Sequence, residues 1–125
     1  MTPAPRRMLV VDDERVVCEC LRDFFVAHGF TVAVAFSGEE ALAKLAEQSY
    51  DVVLLDILLP GIHGLEVLRQ LRRQHPLATV VMMTALDEDD LRNQARQLGA
   101  TAFVTKPFDL SDETWAVVLK DQGVS

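Results

Sequence analysis

The sequence contains no hydrophobic run of the roughly 18 residues that a membrane-spanning helix needs. Its basic amino terminus passes directly into a short apolar run and two aspartates, without the core and cleavage site of a signal peptide. Only two cysteines occur, Cys18 and Cys20, and their spacing on a helix prevents a disulfide between them. We therefore expect a cytoplasmic protein without a membrane segment, in which both cysteines are buried and reduced.

Positive charge is scarce as well. The chain has 125 residues, with 12 Lys and Arg against 19 Asp and Glu, so its formal net charge is −7. Nucleic-acid binding needs clustered Lys and Arg that contact phosphates, and we expect this segment to bind none. The length fits one domain with its own hydrophobic core. We place that domain at 6–121, with flexible termini at 1–5 and 122–125.

Short apolar runs alternate five times with longer amphipathic segments. The runs are too short for helices, and three are continuously apolar, as in strands buried on both faces; they lie at 8–11, 30–35, 52–55, 80–83 and 102–104. The amphipathic segments carry capping and stop signals, and they lie at 14–28, 37–46, 64–74, 87–98 and from Ser111 onward. This alternation predicts an α/β fold, namely a flavodoxin-like doubly wound five-stranded parallel sheet of order 2-1-3-4-5 with five helices.

Polar side chains follow the strands that this order brings together. Asp12 and Asp13 end strand 1 and Asp56 ends strand 3, at the sheet edge where ligands bind in such folds. A hard divalent cation would compensate the repulsion between these carboxylates, and an all-oxygen donor set favours Mg²⁺ over Zn²⁺. Thr84 and Lys106 end strands 4 and 5 at the same edge. Carboxylates, a metal, a hydroxyl and an ammonium group make up a phosphoryl-transfer site.

Four segments resemble the signatures of response-regulator receiver domains of bacterial two-component signalling systems. They have that family's order and spacing and together cover nearly the whole chain: Val10-Val11-Asp12-Asp13-Glu14, Asp56-Ile57-Leu58-Leu59-Pro60-Gly61, Met83-Thr84-Ala85 and Lys106-Pro107-Phe108. The resemblance implies a phosphoacceptor that receives a phosphoryl group from a sensor histidine kinase or a phosphotransfer protein. Such a domain is a signalling switch that catalyses its own phosphorylation and dephosphorylation, and it is not an enzyme acting on a separate substrate.

The resemblance also implies which residues hold the metal and the phosphoryl group. Asp56 would be the phosphorylated residue. Asp13 would bind Mg²⁺ directly, Asp12 would bind it through water, and Leu58 would bind it through its backbone carbonyl. Apolar Leu58 and Leu86 flank this site, and we expect them to obstruct the hydrolytic water and lengthen the phosphorylated lifetime.

The remaining implied roles concern the conformational switch. Lys106 would neutralise the phosphoryl oxygens, Thr84 would turn toward them, and Phe103 would swing inward behind Thr84, although it lacks the hydroxyl of a tyrosine switch. The Lys106-Pro107 peptide would be cis. The surface of helix 4, strand 5 and helix 5 would then change, and a homodimer on phosphorylation through this surface is a family-level expectation.

Two other classes of function stay open beside the phosphoacceptor, namely a binding module and an enzyme on the same architecture, such as an aspartyl-phosphate hydrolase or a flavodoxin. A receiver-like protein-binding module that acts without phosphorylation usually lacks one of the acids, the Thr or the Lys, and all of them are present here. An aspartyl-phosphate hydrolase on this architecture carries Asp-x-Asp after strand 1, where this chain has Asp12-Asp13-Glu14. A flavodoxin needs a phosphate-binding loop there instead of carboxylates. The phosphoacceptor is therefore favoured, with the binding module as the alternative.

Overall fold

A computed structural model of the chain describes residues 6–85 and 89–119. In those ranges five strands form one parallel sheet of order β2-β1-β3-β4-β5; they are β1 (Arg7–Val11), β2 (Thr31–Ala35), β3 (Val52–Asp56), β4 (Thr79–Ala85) and β5 (Ala102–Lys106). The helices alternate with them; they are α1 (Arg15–Ala27), α2 (Gly38–Glu47), α3 (Gly64–Gln74), α4 (Asp89–Gln97) and α5 (Ala116–Leu119). The predicted fold class and strand order are confirmed. The expected flexible termini, the predicted helix start at Asp87, and Leu86 lie outside the described residues.

The sheet is covered on both faces, which explains its continuously apolar strands. All five residues of β3 are buried. Alternate strand residues enter two separate cores, because successive side chains of a strand point to opposite faces. One core lies under α2, α3 and α4 and contains Leu9, Val11, Val53 and Leu55. The other lies under α1 and the end of the chain and contains Met8, Val10, Val52 and Leu54, together with the fully buried ring of Trp115.

The two cysteines on α1 differ in their surroundings. Cys18 is fully buried, whereas Cys20 is exposed, and both are free thiols. The prediction that both are buried is therefore wrong for Cys20. Residues two apart on a helix point about 200° away from each other, so only one of them faces the sheet. None of the helices in the described ranges is long and apolar enough to cross a membrane.

Candidate functional site

The carboxyl ends of neighbouring strands bring three carboxylates together. Asp12 directly follows β1 and Asp56 is the last residue of β3, which lies beside β1 in the sheet. One oxygen from each of Asp12, Asp13 and Asp56 lies within 4.8 Å of the others. Asp12 is fully buried and Asp13 is exposed. The structure thus places the three acids predicted from the sequence in one cluster that opens to solvent.

Lys106, the last residue of β5, reaches into this cluster. Its Nζ donates to Asp12 Oδ2 at 2.6 Å and to Asp56 Oδ2 at 3.1 Å, and it lies 3.4 Å from Glu14 Oε1. Burial alone would lower the pKa of Lys106, but the hydrogen bond that it donates to Asp12 and the charges of Asp56 and Asp12 outweigh burial and raise it. The lysine is therefore a fixed positive charge. The role of Glu14 in this cluster was not predicted, although its position directly after the aspartate pair was a usable signal.

Asp56 is nearly buried, with 8% of its surface exposed. Its pKa is raised, chiefly because burial disfavours the charged carboxylate and in addition because Asp12 is negative. The ammonium group of Lys106 and the N–H of Leu58, 3.1 Å from Asp56 Oδ1, oppose this shift. A further cation near Asp56 would favour the ionised, nucleophilic form of its carboxyl group.

The donor set of the cluster fits a magnesium ion. It consists of carboxylate oxygens without a histidine or thiolate ligand, and Mg²⁺ binds such sites through one or two carboxylates while it keeps several waters. Three carboxylates, those of Asp12, Asp56 and Glu14, lie within 3.4 Å of the ammonium group of Lys106, and Asp13 adds a fourth negative charge to the cluster. The excess negative charge would be lowered by a divalent cation. Leu58, predicted to contribute its carbonyl, contacts Asp56 through its N–H.

The segment from Asp56 to α3 depends on a close backbone approach at Gly64. The Gly64 N–H donates to Ile57 O at 2.9 Å. A Cβ at Gly64 would lie 2.3 Å from Asp56 O and 2.5 Å from Ile57 O, so no larger residue fits without moving the backbone of Asp56. Gly64 therefore helps to hold the end of β3, where the Asp56 carboxylate projects. Leu58 is 49% exposed at the same edge.

The two candidate switch residues lie on adjacent strands. Thr84 on β4 is buried, and its hydroxyl donates to Ala85 O at 3.3 Å. Phe103 on β5 is half-buried, and two guanidinium groups of α4 lie over its ring, Arg96 at 5.1 Å and Arg92 at 5.9 Å from the centroid. Arg92 also donates to Thr105 Oγ1 at 2.7 Å. The sequence did not indicate these arginine contacts. The Lys106–Pro107 peptide bond at the end of β5 is cis.

Asp12 is held in place by hydrogen bonds at its backbone N–H, its backbone oxygen and its carboxylate. Its N–H donates to Ala35 O at 3.1 Å, and its Oδ1 accepts from the N–H of Glu14 at 2.9 Å. Its backbone oxygen accepts a hydrogen bond from the thiol of Cys18, with Sγ 3.2 Å away. Burial, with a further contribution from the charge of Asp12, raises the pKa of the Cys18 thiol to about 12, so it stays protonated at neutral pH.

Several solved structures have a similar fold over most of the length of this chain. The chemotaxis response regulator CheY4 of Vibrio cholerae has a TM-score of 0.84 at 27% sequence identity, over 93% of this chain and 97% of CheY4. The receiver domain of NtrX from Brucella abortus has a TM-score of 0.84 at 31% identity, over 94% of this chain and 99% of that domain.

Two curated relatives of Bacillus subtilis are longer proteins. The alkaline phosphatase synthesis transcriptional regulatory protein PhoP is 39% identical over 103 residues, which are 82% of this chain and 43% of PhoP. The transcriptional regulatory protein YkoG is 37% identical over 105 residues, which are 84% of this chain and 46% of YkoG. This chain therefore spans less than half the length of each. The family model of the response regulator receiver domain matches residues 8–117, and the chain belongs to that family.

Proposed function

We propose that this receiver domain is a phosphoacceptor, in which Asp56 takes a phosphoryl group from a sensor histidine kinase or a phosphotransfer protein. The observation that carries this function is the position of the Asp56 carboxylate, nearly buried at the sheet edge between two further aspartates and Lys106. Positioning and charge neutralisation dominate the catalysis of phosphoryl transfer, and these residues supply both. The proposed domain occupies 6–121 of a cytoplasmic protein.

The proposed metal ligands are the acids of the cluster. Asp13 would hold Mg²⁺ directly, Asp12 would hold it through water, and Asp56 and the carbonyl of Leu58 would complete the protein's contribution. When bound, the ion supplies positive charge that lowers the repulsion between Asp56 and the incoming phosphoryl group. A carboxylate oxygen of Asp56 then forms a bond to phosphorus, while the bond from phosphorus to the donor imidazole breaks and the imidazole nitrogen takes up a proton.

Lys106 is the proposed residue that steadies the transferred group. Its Nζ already lies 3.1 Å from Asp56 Oδ2, so an oxygen of a phosphoryl group on Asp56 would come within reach of the same ammonium group. The raised pKa of Lys106 keeps it charged throughout. The ammonium group of Lys106 thus exchanges its ion pair with carboxylates for an ion pair with the phosphoryl oxygens, and it stays protonated.

Thr84 and Phe103 are the proposed switch. The phosphoryl group adds strong acceptor oxygens, which the Thr84 hydroxyl would reach by leaving Ala85 O. Phe103 would move inward into the vacated space and leave the guanidinium groups of α4. A change from mostly off to mostly on needs about 5.5 kcal/mol of differential binding. The altered surface would be that of α4, β5 and α5, through which a homodimer would form.

Incubation with a small phosphodonor, with and without Mg²⁺, followed by intact-mass measurement tests the phosphoacceptor. We expect one phosphoryl group on wild-type protein with Mg²⁺, none without it, and none on Asp56→Asn. Asp23→Asn, an exposed substitution on α1, should be phosphorylated like wild type. Equal phosphorylation of Asp56→Asn would contradict the proposed site. Absence of phosphoryl mass on folded wild-type protein would favour the alternative, a binding module that acts without phosphorylation.

A further inference from the structure

We propose that Cys18 is a positioning residue for the metal site, because its thiol holds the Asp12–Asp13 peptide in the orientation that directs Asp13 toward the cation. This role rests on the proposed function, since it presumes that Asp13 is a metal ligand. It extends the site to a side chain of α1 that touches neither the metal nor the phosphoryl group.

The contact between Cys18 and Asp12 acts on the backbone of Asp13. Cys18 Sγ lies 3.2 Å from Asp12 O, and this oxygen belongs to the same planar peptide group as the N–H of Asp13. A hydrogen bond to the oxygen therefore sets the tilt of the whole peptide plane, and with it the direction in which the chain continues to the Asp13 Cα. Among residues 6–85 and 89–119, no backbone N–H donates to this oxygen.

Asp13 depends on its backbone more than the other two acids do. Asp12 accepts from Glu14 and Lys106, and Asp56 accepts from Leu58 and Lys106. The exposed carboxylate of Asp13, by contrast, takes part in none of the hydrogen bonds found within the described ranges. Its place in the cluster is therefore set by the peptide that precedes it.

The rotation of α1 about its axis places residue 18 in the core, so a hydrogen-bond donor at this position has to be small. Cys18 is fully buried between the helix and the sheet, so a longer polar side chain would have to displace core residues. A thiol combines small volume with one weak hydrogen-bond donor. Serine keeps the donor, alanine removes it with a loss of volume, and valine removes it while it fills the space. These three substitutions separate hydrogen bonding from packing.

Calorimetric titration with MgCl₂ of the full chain measures the proposed effect without any phosphodonor. Loss of a contact that orients a metal ligand typically weakens metal binding roughly 10- to 100-fold, and for a weak thiol donor we expect about three- to tenfold in Cys18→Ala and Cys18→Val. Cys18→Ser should bind Mg²⁺ within about twofold of wild type, since its hydroxyl restores the donor. Cys20→Ala, on the same helix but exposed, is the matched control and should bind like wild type.

The outcomes separate the role of Cys18 from the proposed function. Mg²⁺ affinity of Cys18→Ala and Cys18→Val equal to that of wild type would overturn the positioning role, and so would a Cys18→Ser variant as weak as they are. Urea unfolding without Mg²⁺ verifies that each variant is folded. If Cys18→Ala is unfolded, the Mg²⁺ affinity of Cys18→Val is compared with that of wild type instead. Wild-type protein that binds Mg²⁺ but gains no phosphoryl mass would reject the phosphoacceptor alone. Wild-type protein that binds no Mg²⁺ would reject both.

Discussion

The ammonium group of Lys106 lies 2.6 Å from Asp12 and 3.1 Å from Asp56, although these residues are 94 and 50 positions away along the chain. The contact exists because β5 and β3 both flank β4 and all three strands point in the same direction. Lys106 and a bound cation would use the same carboxylates. Ion pairing by Lys106 and the proposed metal binding would therefore be coupled.

Replacement of Lys106 by Met should reveal that coupling. Without Mg²⁺, we expect the free energy of unfolding to fall by about 1–3 kcal/mol, because the buried carboxylate of Asp12 loses a charged partner. Mg²⁺ should bind more tightly, because no ammonium group competes for Asp12 and Asp56. Phosphorylation should slow by about 100-fold, since an electrostatic contact to the phosphoryl oxygens is gone.

Urea unfolding, calorimetry and intact-mass kinetics measure these three effects of Lys106→Met. Lys44→Met on α2 is the control for loss of a lysine elsewhere, and it should leave Mg²⁺ affinity unchanged. Weaker Mg²⁺ binding by Lys106→Met than by wild type would contradict the competition between the two cations.

The raised pKa of Asp56 predicts a pH-dependent cost to stability. A carboxyl group whose pKa is higher in the folded than in the unfolded state binds its proton more tightly in the folded state. Stability contributed by this group therefore falls as pH rises from the ordinary value of 3.8 through the raised pKa, and it is level above that. Asp56→Asn, which cannot ionise, should be more stable than wild type at pH 7, and the difference should shrink as pH is lowered toward 3.8.

Urea unfolding of metal-free wild type and Asp56→Asn across this pH range measures the difference. The opposite trend, with wild type gaining stability relative to Asp56→Asn as pH rises, would show that Lys106 outweighs burial at Asp56. Asp51→Asn is a suitable comparison, because Asp51 is an exposed acid at the opposite end of β3.

The fold and the acidic cluster were predictable because both follow from rules that need only local sequence. Apolar runs that end in Asp12, Asp56 and Thr84 define parallel strands, and the carboxyl ends of such strands meet at one edge. The bond from Cys18 to Asp12 was not predictable, because it depends on the exact rotation of α1 about its axis. The rotation of α1 about its axis also decides which of the two cysteines faces the sheet, so that Cys18 is buried and Cys20 is exposed.

Leu58 is expected to lengthen the phosphorylated lifetime, given the proposed function. Its side chain, two residues beyond Asp56 and 49% exposed, offers the hydrolytic water no hydrogen bond. In Leu58→Asn an amide would bind and orient that water, and a barrier lower by about 1 kcal/mol would speed autodephosphorylation roughly fivefold. Loss of phosphoryl mass over time measures the rate. Leu77→Asn, remote and fully exposed, should behave like wild type, and a slower Leu58→Asn would refute the obstruction.

Arg72 joins three parts of the fold that are distant in sequence. On α3, its guanidinium group donates to the carbonyls of Ala78 at 2.7 Å and Gly99 at 2.9 Å, and to Thr101 Oγ1 at 3.3 Å. It also reaches the carbonyls of His75 and Pro76. The Arg72 side chain thus links the starts of β4 and β5 to α3. We expect the several N–H donors of its guanidinium group to contribute more to stability than its charge does.

Arg72→Lys should therefore be destabilising even though the positive charge is kept. A lysine has three donors on one nitrogen and cannot reach all four carbonyls that the Arg72 guanidinium group contacts, so several of them lose their partner. We expect the free energy of unfolding to fall by about 1–3 kcal/mol, measured by urea unfolding. Arg73→Lys, an exposed neighbour on the same helix, should change it by less than about 0.5 kcal/mol. Equal effects of the two substitutions would show that Arg72 stabilises the fold by its charge and not by its hydrogen bonds.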